Sequence, residues 1–583
     1  MPEFWYNWLT PLWILSLGVL LGLVAVAAFG GVCWLLSRIP VVNTLFYENK
    51  LAARIAGGVI AIVFLCILAT QLPTEKEINA SQNKESNVSQ DEEDNVSQTA
   101  VMWLLASAPL LWAAGYGIMA MIAIRSVDEF KIAVQEGFLW PTSLVFVGFA
   151  CFAVMGYFIV NDPSSMLHSL QRLPYVGTTE YEFEIPASGG TGMPADTVID
   201  IRFSGKEIRK IKFYATQQLG IYVKPNSERV SSNFDVPASE DNLVWTKGGR
   251  SHDPFKENEI ENLYVKNFGE APTTLELTVV TSPQHFQVAG IPVTAICVFG
   301  TFFIYMLVRF LLPKVSAIAL ATFKSEIVQP LFMIVMFLGS VAIVIFIFVP
   351  YYTLGEDIKL LKESGLTLIM ILSIIQAVYA AGTSIADEID GKTALTVLSK
   401  PIGRRDFIIG KFVGIGWTVG LLFLVLGSVL LICVAYKPIY DYGEGAPIQP
   451  TWAICYLEMT STIPGLALGL METLVLAALS VCISTRLPML ANFVLSFGIY
   501  WLGHLTPLLI QSSDEDVFPV VRFFGQLIAT IVPNLDHFNI HAAIASGVTV
   551  PLSYLGVTFA YCAIYSVIAL LLALVLFEDR DLS

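Results

Sequence analysis

Residues 384–411, SIADEIDGKTALTVLSKPIGRRDFIIGK, form a short charged segment between two long apolar segments. The acidic side chains lie at its start and the basic ones at its end, in the order Asp387, Glu388, Asp390, Lys400, Arg404, Arg405 and Lys411. Leu395, Val397 and Leu398 add a small apolar face, and Pro401 stops a helix before the next apolar segment begins. The segment is too short for a domain, but it is long enough for one or two helical turns that dock against another protein.

The composition places this segment in a membrane protein. Hydrophobic residues make up 55% of the 583 residues and charged residues only 14%, so the statistics of soluble globular domains do not apply. Several apolar segments reach the roughly 20 residues that span the hydrocarbon core of a bilayer. The net charge of -15 argues against a nucleic-acid-binding protein, which needs clustered Lys and Arg to neutralise phosphates.

Hydropathy predicts an α-helical polytopic membrane protein with about eleven transmembrane helices. The predicted spans are 12–37, 55–72, 100–124, 138–160, 288–311, 331–350, 366–386, 407–435, 464–485, 488–510 and 552–577. Lys and Arg are concentrated in alternate loops, so the positive-inside rule predicts an N-terminus outside and a C-terminus in the cytoplasm. The 384–411 segment is then cytoplasmic, whereas Lys359, Lys362 and Lys437 lie in outer loops. We expect a multi-pass protein of the cell membrane, specifically of a bacterial inner membrane.

The same pattern divides the chain into four regions. Residues 1–160 form an N-terminal transmembrane region of about four helices, with an acidic outer loop at 73–99 that is predicted to be disordered. Residues 161–287 form an extracytoplasmic β-rich domain. Residues 288–330 form a transmembrane helix and a cytoplasmic amphipathic linker, and residues 331–583 a six-helix transmembrane domain.

The β-rich domain is indicated by short alternations of apolar and polar residues. Segments such as TVIDIRF, KIKFYA and TTLELTVV alternate with period two and are separated by Gly, Pro, Asn and Asp. This pattern is typical of a small antiparallel, sandwich-like all-β domain. A fold does not define a function, so a ligand-binding domain and a structural or partner-docking module are both open.

Two other segments are apolar without being simple spans. Residues 313–330 predict an amphipathic helix along the inner membrane surface, with Lys324 and Glu326 on its polar side, or else a plain linker. Residues 518–543 are interrupted by two prolines and an asparagine. That interruption favours a pair of short re-entrant or interfacial helices over a spanning helix.

Polar side chains inside the apolar segments are candidates for an intramembrane site. Glu472 and His504 are of this kind, and such groups are costly in hydrocarbon and are often functional or paired with another helix. Glu472 either lines a substrate path or bonds to a neighbouring Ser or Thr. His537 and His541 have the i, i+4 spacing of two metal ligands, but no Glu follows His537, and we predict no metal site.

The chain lacks a nucleotide-binding motif. No GxxxxGK[ST] sequence occurs, and the nearest string, from Gly403 to Lys411, has the wrong spacing and continues with Phe412. A nucleophile, a base and an orienting group cannot be placed together either. We therefore predict no catalytic site and no directly bound cofactor.

Four short sequences carry a family resemblance. They are EIDGKT with LSKP, RR and GK between residues 388 and 411, STR at 484–486, PNL at 533–535 leading into FN, and FEDRDL at 577–582. In this order they resemble the type-2 permease subunits of ATP-binding-cassette (ABC) exporters, especially the branch described as multi-copper-enzyme-maturation permeases. Asp579 departs from the pattern of that family, and the resemblance begins at about Phe323.

The resemblance implies a half-transporter at residues 331–583 that dimerises with a second copy or a related permease. It also implies two cytoplasmic ATPase subunits, which would bind ATP and Mg²⁺, and a coupling helix in the loop at 387–406 that enters a cleft of the ATPase. The candidate coupling residues are Asp387, Glu388, Asp390, Lys400, Pro401, Arg404 and Arg405. Carboxylates and guanidinium groups suit orientable contacts to a soluble partner; alternatively, these charges only solvate the loop and set the topology.

Two functions are therefore predicted. The first is a permease subunit that exports an unidentified substrate while a separate subunit hydrolyses ATP. The alternative is a membrane-anchored assembly or sensing protein that acts through its β-rich domain. Charge reversal of Arg404 and Arg405 would impair the first function, whereas deletion of residues 174–287 would abolish the second.

Overall fold

The computed structural model describes most of the chain. The described residues are 3–39, 137–187, 197–223, 233–238, 243–247, 254–255, 260–269, 271–349, 356–390, 402–446, 449–512, 531–547 and 550–578, with scattered positions between 55 and 135 and residue 527. The predicted outer loop at 73–99 lies outside them, as do almost all residues of the predicted spans 55–72 and 100–124.

These residues form two compact units. One consists of Met1–Phe158 and Pro292–Ser583, and the other of Ile159–Ile291. The helices are α1 (Glu3–Ser37), α2 (Leu139–Gly156), α3 (Pro163–Arg172), α4 (Gly290–Leu311), α5 (Pro313–Val328), α6 (Pro330–Phe348), α7 (Asp357–Ala381), α8 (Asp387–Asp390), α9 (Arg404–Gly443), α10 (Trp452–Ser484), α11 (Met489–Ser512), α12 (His541–Ala545) and α13 (Leu552–Glu578). The chain therefore leaves the helical unit after α2 and returns to it in α4.

The smaller unit is an antiparallel β-sandwich. Its strands are β1 (Thr178–Ile185), β2 (Thr197–Phe203), β3 (Ile208–Ala215), β4 (Leu219–Tyr222), β5 (Phe234–Val236), β6 (Leu243–Thr246), β7 (Ile260–Asn267) and β8 (Thr273–Thr281). They form two four-stranded sheets, in the orders β1-β8-β3-β6 and β2-β7-β4-β5. The segments TVIDIRF, KIKFYA and TTLELTVV lie in β2, β3 and β8, which confirms the predicted antiparallel sheet region.

The period-two pattern explains the packing of this unit. In β8, Leu275, Leu277 and Val279 are buried, whereas Thr274 and Glu276, which alternate with them, are exposed. The buried set belongs to one apolar core that both sheets share. Each fully buried aliphatic side chain contributes roughly 1.5–3 kcal/mol to folding. The predicted extracytoplasmic location of this unit stays a prediction.

Eight described helical segments are long and apolar enough to cross a membrane. They comprise α1, α2, α4, α6, α7 with its continuation to Ile389, α9, α10 and α13. A shorter apolar helix at Met489–Leu505 belongs to α11 and occupies the predicted span 488–510. A mostly helical membrane protein is confirmed, and the total of eleven spans stays a prediction because two of them lie outside the described residues.

Several core helices extend beyond the predicted spans, and this corrects the placement of two lysines. Lys362 lies within α7 and has no exposed surface, and its ammonium group is bonded to the Glu458 carboxylate and the Ser461 hydroxyl. Lys437 lies within α9, where it is paired with Asp441 at 2.9 Å. The prediction that these lysines lie in loops is wrong, because both belong to helices, as does Lys359 in α7. The two buried ammonium groups are paired with oxygen atoms, which a hydropathy window does not register. The side of the membrane on which they lie stays a prediction.

The linker helix α5 packs closely along α9, and two glycines in α9 permit this approach. A Cβ atom at Gly414 would lie 2.7 Å from the Ala319 carbonyl oxygen and 2.7 Å from Thr322 Cβ. A Cβ atom at Gly410 would lie 2.7 Å from Ile318 Cβ. Small residues spaced four apart let two helix backbones come together in this way.

Candidate functional site

A buried polar cluster joins α5, α7, α8 and α9 at the two ends of the 384–411 segment. We call it the α5–α9 cluster, and it consists of Glu326, Thr383, Glu388 and Lys411. Lys411 Nζ lies 2.6 Å from Glu388 Oε1, and Thr383 Oγ1 donates a 3.2 Å hydrogen bond to Glu326 Oε1. Glu326 is 1% exposed and Lys411 is 6% exposed, whereas the Glu388 side chain is 32% exposed. The Glu326 contact is therefore shielded from solvent, and the ion pair is shielded on its Lys411 side.

A π-helical turn positions two members of this cluster. Residues Gly382–Ala386 connect α7 to α8 with π-helical hydrogen bonding. Such a turn inserts one residue into the helix and changes which face the following side chains occupy, and it is frequent at functional sites. Thr383 lies within the turn and contacts α5, whereas Glu388 follows the turn and contacts α9.

A small cavity lies beside the cluster. Its volume is about 150 Å³, and its polar lining comes from Thr322, Ser325, Ser384, Glu388 and Lys411. A polar space of this size is large enough for several water molecules. The ends of the charged segment therefore meet around hydratable polar groups and not around a dry apolar core.

Glu326 departs from its predicted position on the polar side of α5. Burial raises the pKa of its carboxyl to about 7, although the hydrogen bond from Thr383 and the charge of Lys411 lower it. Gln329 Nε2 also donates to Glu326 Oε1, at 3.2 Å. The Glu326 carboxyl therefore changes its protonation state near neutral pH, next to the Glu388–Lys411 ion pair.

This pKa predicts a pH-dependent stability. A folded-state pKa of about 7, above the ordinary value of 4.5, means that the folded chain binds the proton more tightly. The stabilisation is complete below pH 4.5 and is lost as the pH rises to 7, with a total of roughly 3 kcal/mol. We expect the melting temperature in mild detergent to fall between pH 5 and pH 8, and Glu326→Gln to reduce this fall.

The matched control is Glu363→Gln, which makes the same chemical change at an exposed position of α7. It should keep the pH dependence of the wild type. An equal pH dependence in Glu326→Gln and in the wild type would contradict the assignment.

The start of α9 is attached to the end of the last helix. Arg404 Nη1 donates hydrogen bonds to the carbonyl oxygens of Phe577 and Glu578, at 3.3 and 2.6 Å. Phe577 also stacks on Phe407 at 5.8 Å. A cation at the C-terminus of a helix is favourable because the last carbonyl groups lack helical partners. Arg404 therefore fastens α9 to α13.

The other candidate coupling residues are placed differently. The side chains of Asp387 and Arg405 are exposed. Asp390 ends α8, but its side chain lies outside the described residues, as do Lys400 and Pro401. The structure thus brings Glu388 and Arg404 into intramolecular contacts and leaves Asp387 and Arg405 at the surface.

A family model described as ABC-2 family transporter protein matches residues 126–582. The chain belongs to the ABC-2 transporter family. It is accordingly a multi-pass membrane protein and a permease component of an ABC transporter, and it is not itself a catalytic enzyme. A search of curated proteins gave no match. The matched region begins far upstream of Phe323, so the family likeness includes the β-sandwich as well as the last six predicted helices.

The second candidate site of this ABC-2 permease lies between α10 and α11. Glu472 has no exposed surface, and its Oε1 atom lies 3.5 Å from His504 Nε2. Among the described residues no hydroxyl group bonds to Glu472. The neighbouring Thr473 donates its hydrogen bond to the Gly469 carbonyl instead. His504, and not a Ser or Thr, is the polar neighbour of Glu472.

The two histidines of the interrupted segment do not share a helix face. His537 lies in a 3₁₀ turn at Asp536–Phe538, and His541 begins α12. His537 Nε2 is 3.3 Å from Asn534 Nδ2, and His541 Nδ1 is 3.5 Å from Thr367 Oγ1. Within the described part of this ABC-2 permease, no group of three His, Cys, Asp or Glu residues is arranged to hold a metal ion.

Sequence reasoning missed the contribution of α5 to the site. The sequence predicts a surface position for Glu326, the acidic residue of a short amphipathic helix, and Thr383 belongs to no motif. The Gly410 and Gly414 spacing is a readable signal, since small residues four apart mark close helix contacts. It identifies the face of α9, but not the helix that packs there.

Proposed function

We propose that this chain is the permease subunit of an ABC exporter, that a separate ATPase subunit hydrolyses ATP, and that a second copy or a related permease completes the membrane part. We further propose the orientation inferred from the loop charges, with the C-terminus in the cytoplasm and the β-sandwich outside. The multi-copper-enzyme-maturation branch and the bacterial inner membrane are the finer assignments that the four motifs favour.

The observation that carries the proposal is the ion pair between Glu388 and Lys411, one at each end of the charged segment. Because Glu388 lies in α8 and Lys411 lies in α9, this pair holds the two ends of the charged segment together. The hydrogen bond from Thr383 to Glu326 connects the start of the segment to α5, and the bonds of Arg404 connect the start of α9 to α13. A force on the loop is thereby transmitted to several helices at once.

The proposed division of roles follows from the intramolecular contacts, since Arg404 is exposed like Asp387 and Arg405 but bonds to the end of α13. Asp387 and Arg405 are exposed at the two ends of the loop and suit contacts to the ATPase, together with Asp390, Lys400 and Pro401 between them. Glu388, Arg404 and Lys411 transmit the movement inside the permease. ATP and Mg²⁺ are bound by the partner and not by this chain.

The test is a pull-down from mild detergent after charge reversal of the two exposed residues, Asp387→Lys with Arg405→Glu. We expect the wild type to retain a chain that carries a GxxxxGK[ST] motif, identified by mass spectrometry, and the double variant to lose most of it. The control is Arg486→Glu, an exposed charge reversal in the short α10–α11 connection, which should retain the partner.

Two results would oppose the proposal. If the wild type retains no such chain, the β-sandwich becomes the functional part and the assembly or sensing alternative gains support. If the wild type and the double variant retain equal amounts of the ATPase, the charged segment does not contact it.

A further inference from the structure

The pair formed by Glu472 and His504 has an unusual hydrogen-bond arrangement. His504 Nδ1 lies 3.1 Å from the Tyr500 carbonyl oxygen. A carbonyl oxygen only accepts hydrogen bonds, so Nδ1 carries a hydrogen atom. In a neutral imidazole the other nitrogen, Nε2, is then an acceptor, and it faces Glu472 Oε1 at 3.5 Å.

A carboxylate is also an acceptor only. Two acceptors that face each other in a buried site repel unless a proton lies on one of them. Neither oxygen of Glu472 has a hydrogen-bond partner among the described residues, and leaving a buried carboxylate without a donor is costly. The geometry thus requires one proton, either on the Glu472 carboxyl or on His504 Nε2.

We propose that Glu472 and His504 form a proton-binding site of the permease, in which the proton passes between Glu472 Oε1 and His504 Nε2. In this transfer the O–H bond of the carboxyl breaks and an N–H bond forms on the imidazole, which leaves a carboxylate beside an imidazolium. The total charge of the pair does not change, so the transfer moves no net charge into the interior.

The position of the pair supports a proton as the ligand. Glu472 is 12 residues before the end of α10, and His504 is 15 residues after the start of α11, which places both about 20 Å from the connection between these helices. Glu472 has no exposed surface, whereas the His504 side chain is 20% exposed. His504 is thus the partly exposed member of the pair, and in the proposed site it exchanges the proton with the enclosed Glu472.

Among the described residues, few other titratable groups surround this pair. Asp536 and His541 lie on the segment packed against α10, Tyr500 lies on α11, and Cys562 on α13 donates to the Met471 carbonyl. The lysines of the packed helices α7 and α9 are already paired, namely Lys359 with Glu356, Lys362 with Glu458, Lys411 with Glu388, and Lys437 with Asp441. The charged residues at α1, Glu3 and Arg38, lie at its two ends.

The test is infrared spectroscopy of the purified full chain, with the carbonyl-stretching band of protonated carboxyl groups followed against pH. It is performed in the Glu326→Gln background, because the Glu326 carboxyl also titrates near neutral pH. We expect Glu472→Gln to remove a band that Glu472→Asp retains. The control Glu363→Gln, at an exposed carboxyl, should leave the band unchanged.

His504→Gln examines the partner. It removes the group that accepts the proton and, as imidazolium, stabilises the carboxylate. We expect the band to persist to a pH at least about one unit higher. If Glu472→Gln leaves the band unchanged, the proposal is overturned. If Glu472→Gln removes the band but His504→Gln does not shift its pH dependence, the role of His504 is overturned. The measurement needs no ATPase, so it is independent of the proposed function.

Discussion

Gly414→Ala is expected to lower the melting temperature of the purified permease markedly, although it adds a single methyl group. The new Cβ atom would lie 2.7 Å from the Ala319 carbonyl oxygen, which is part of the α5 backbone and cannot move alone. Overpacking of this kind costs about 1–3 kcal/mol. The measurement is tryptophan fluorescence during heating in mild detergent, with the yield of monodisperse protein as a second readout.

Gly420→Ala is the matched control, because it lies in the same helix and a Cβ atom there meets no atom within 4 Å. Alanine is favoured over glycine inside a helix by about 0.5–1 kcal/mol. The control should therefore be neutral or more stable than the wild type. Equal melting temperatures for the two variants would show that α5 does not pack on α9 at Gly414.

Glu458→Gln is expected to have the second large effect, since it leaves the Lys362 ammonium buried without a counter-charge. Lys362 has no exposed surface, and its remaining polar partner is the Ser461 hydroxyl at 2.8 Å. Removing one member of a buried ion pair costs roughly 3–5 kcal/mol. We expect a corresponding loss of thermal stability in detergent, measured as for the glycine variants.

Lys362→Met is the informative companion to this variant. It removes the buried charge of Lys362. The Glu458 side chain that remains is 27% exposed and is partly hydrated. We expect a smaller loss than in Glu458→Gln. The double variant should recover much of the stability, because no unpaired charge remains. If the effects of the two single changes simply add in the double variant, the two groups are not coupled.

Both predictions concern contacts that lie outside the reach of sequence patterns. The GxxxG spacing in α9 is visible in the sequence, but its partner α5 comes from a region about 90 residues earlier in the chain. Lys362 was placed in an outer loop because a charged residue lowers the hydropathy of any window that contains it. Only the position of α10 beside α7 supplies the carboxylate that lets this lysine remain inside.

The candidate site likewise has a part that the sequence predicts and a part that only the tertiary structure reveals. The charged segment at 384–411 was identified from sequence, because carboxylates, a proline and arginines between two apolar segments are a local pattern. Glu326, which lies 57 residues before Thr383, was assigned to the surface and is 1% exposed. Arg404 was predicted to contact a partner, yet it bonds to carbonyl groups 173 and 174 residues later.

The sequence by itself determined that this protein crosses a membrane, where eight of its spans lie and that a β-region interrupts them. These properties depend on the length and period of apolar residues, which act over a few neighbouring positions. The tertiary structure alone decided which charges are paired, which nitrogen of His504 faces the Tyr500 carbonyl and which faces Glu472, and which helices approach at glycines. Each of these depends on atoms that are far apart in the chain and within about 4 Å in space, and the energy of such contacts follows distance and burial rather than sequence order.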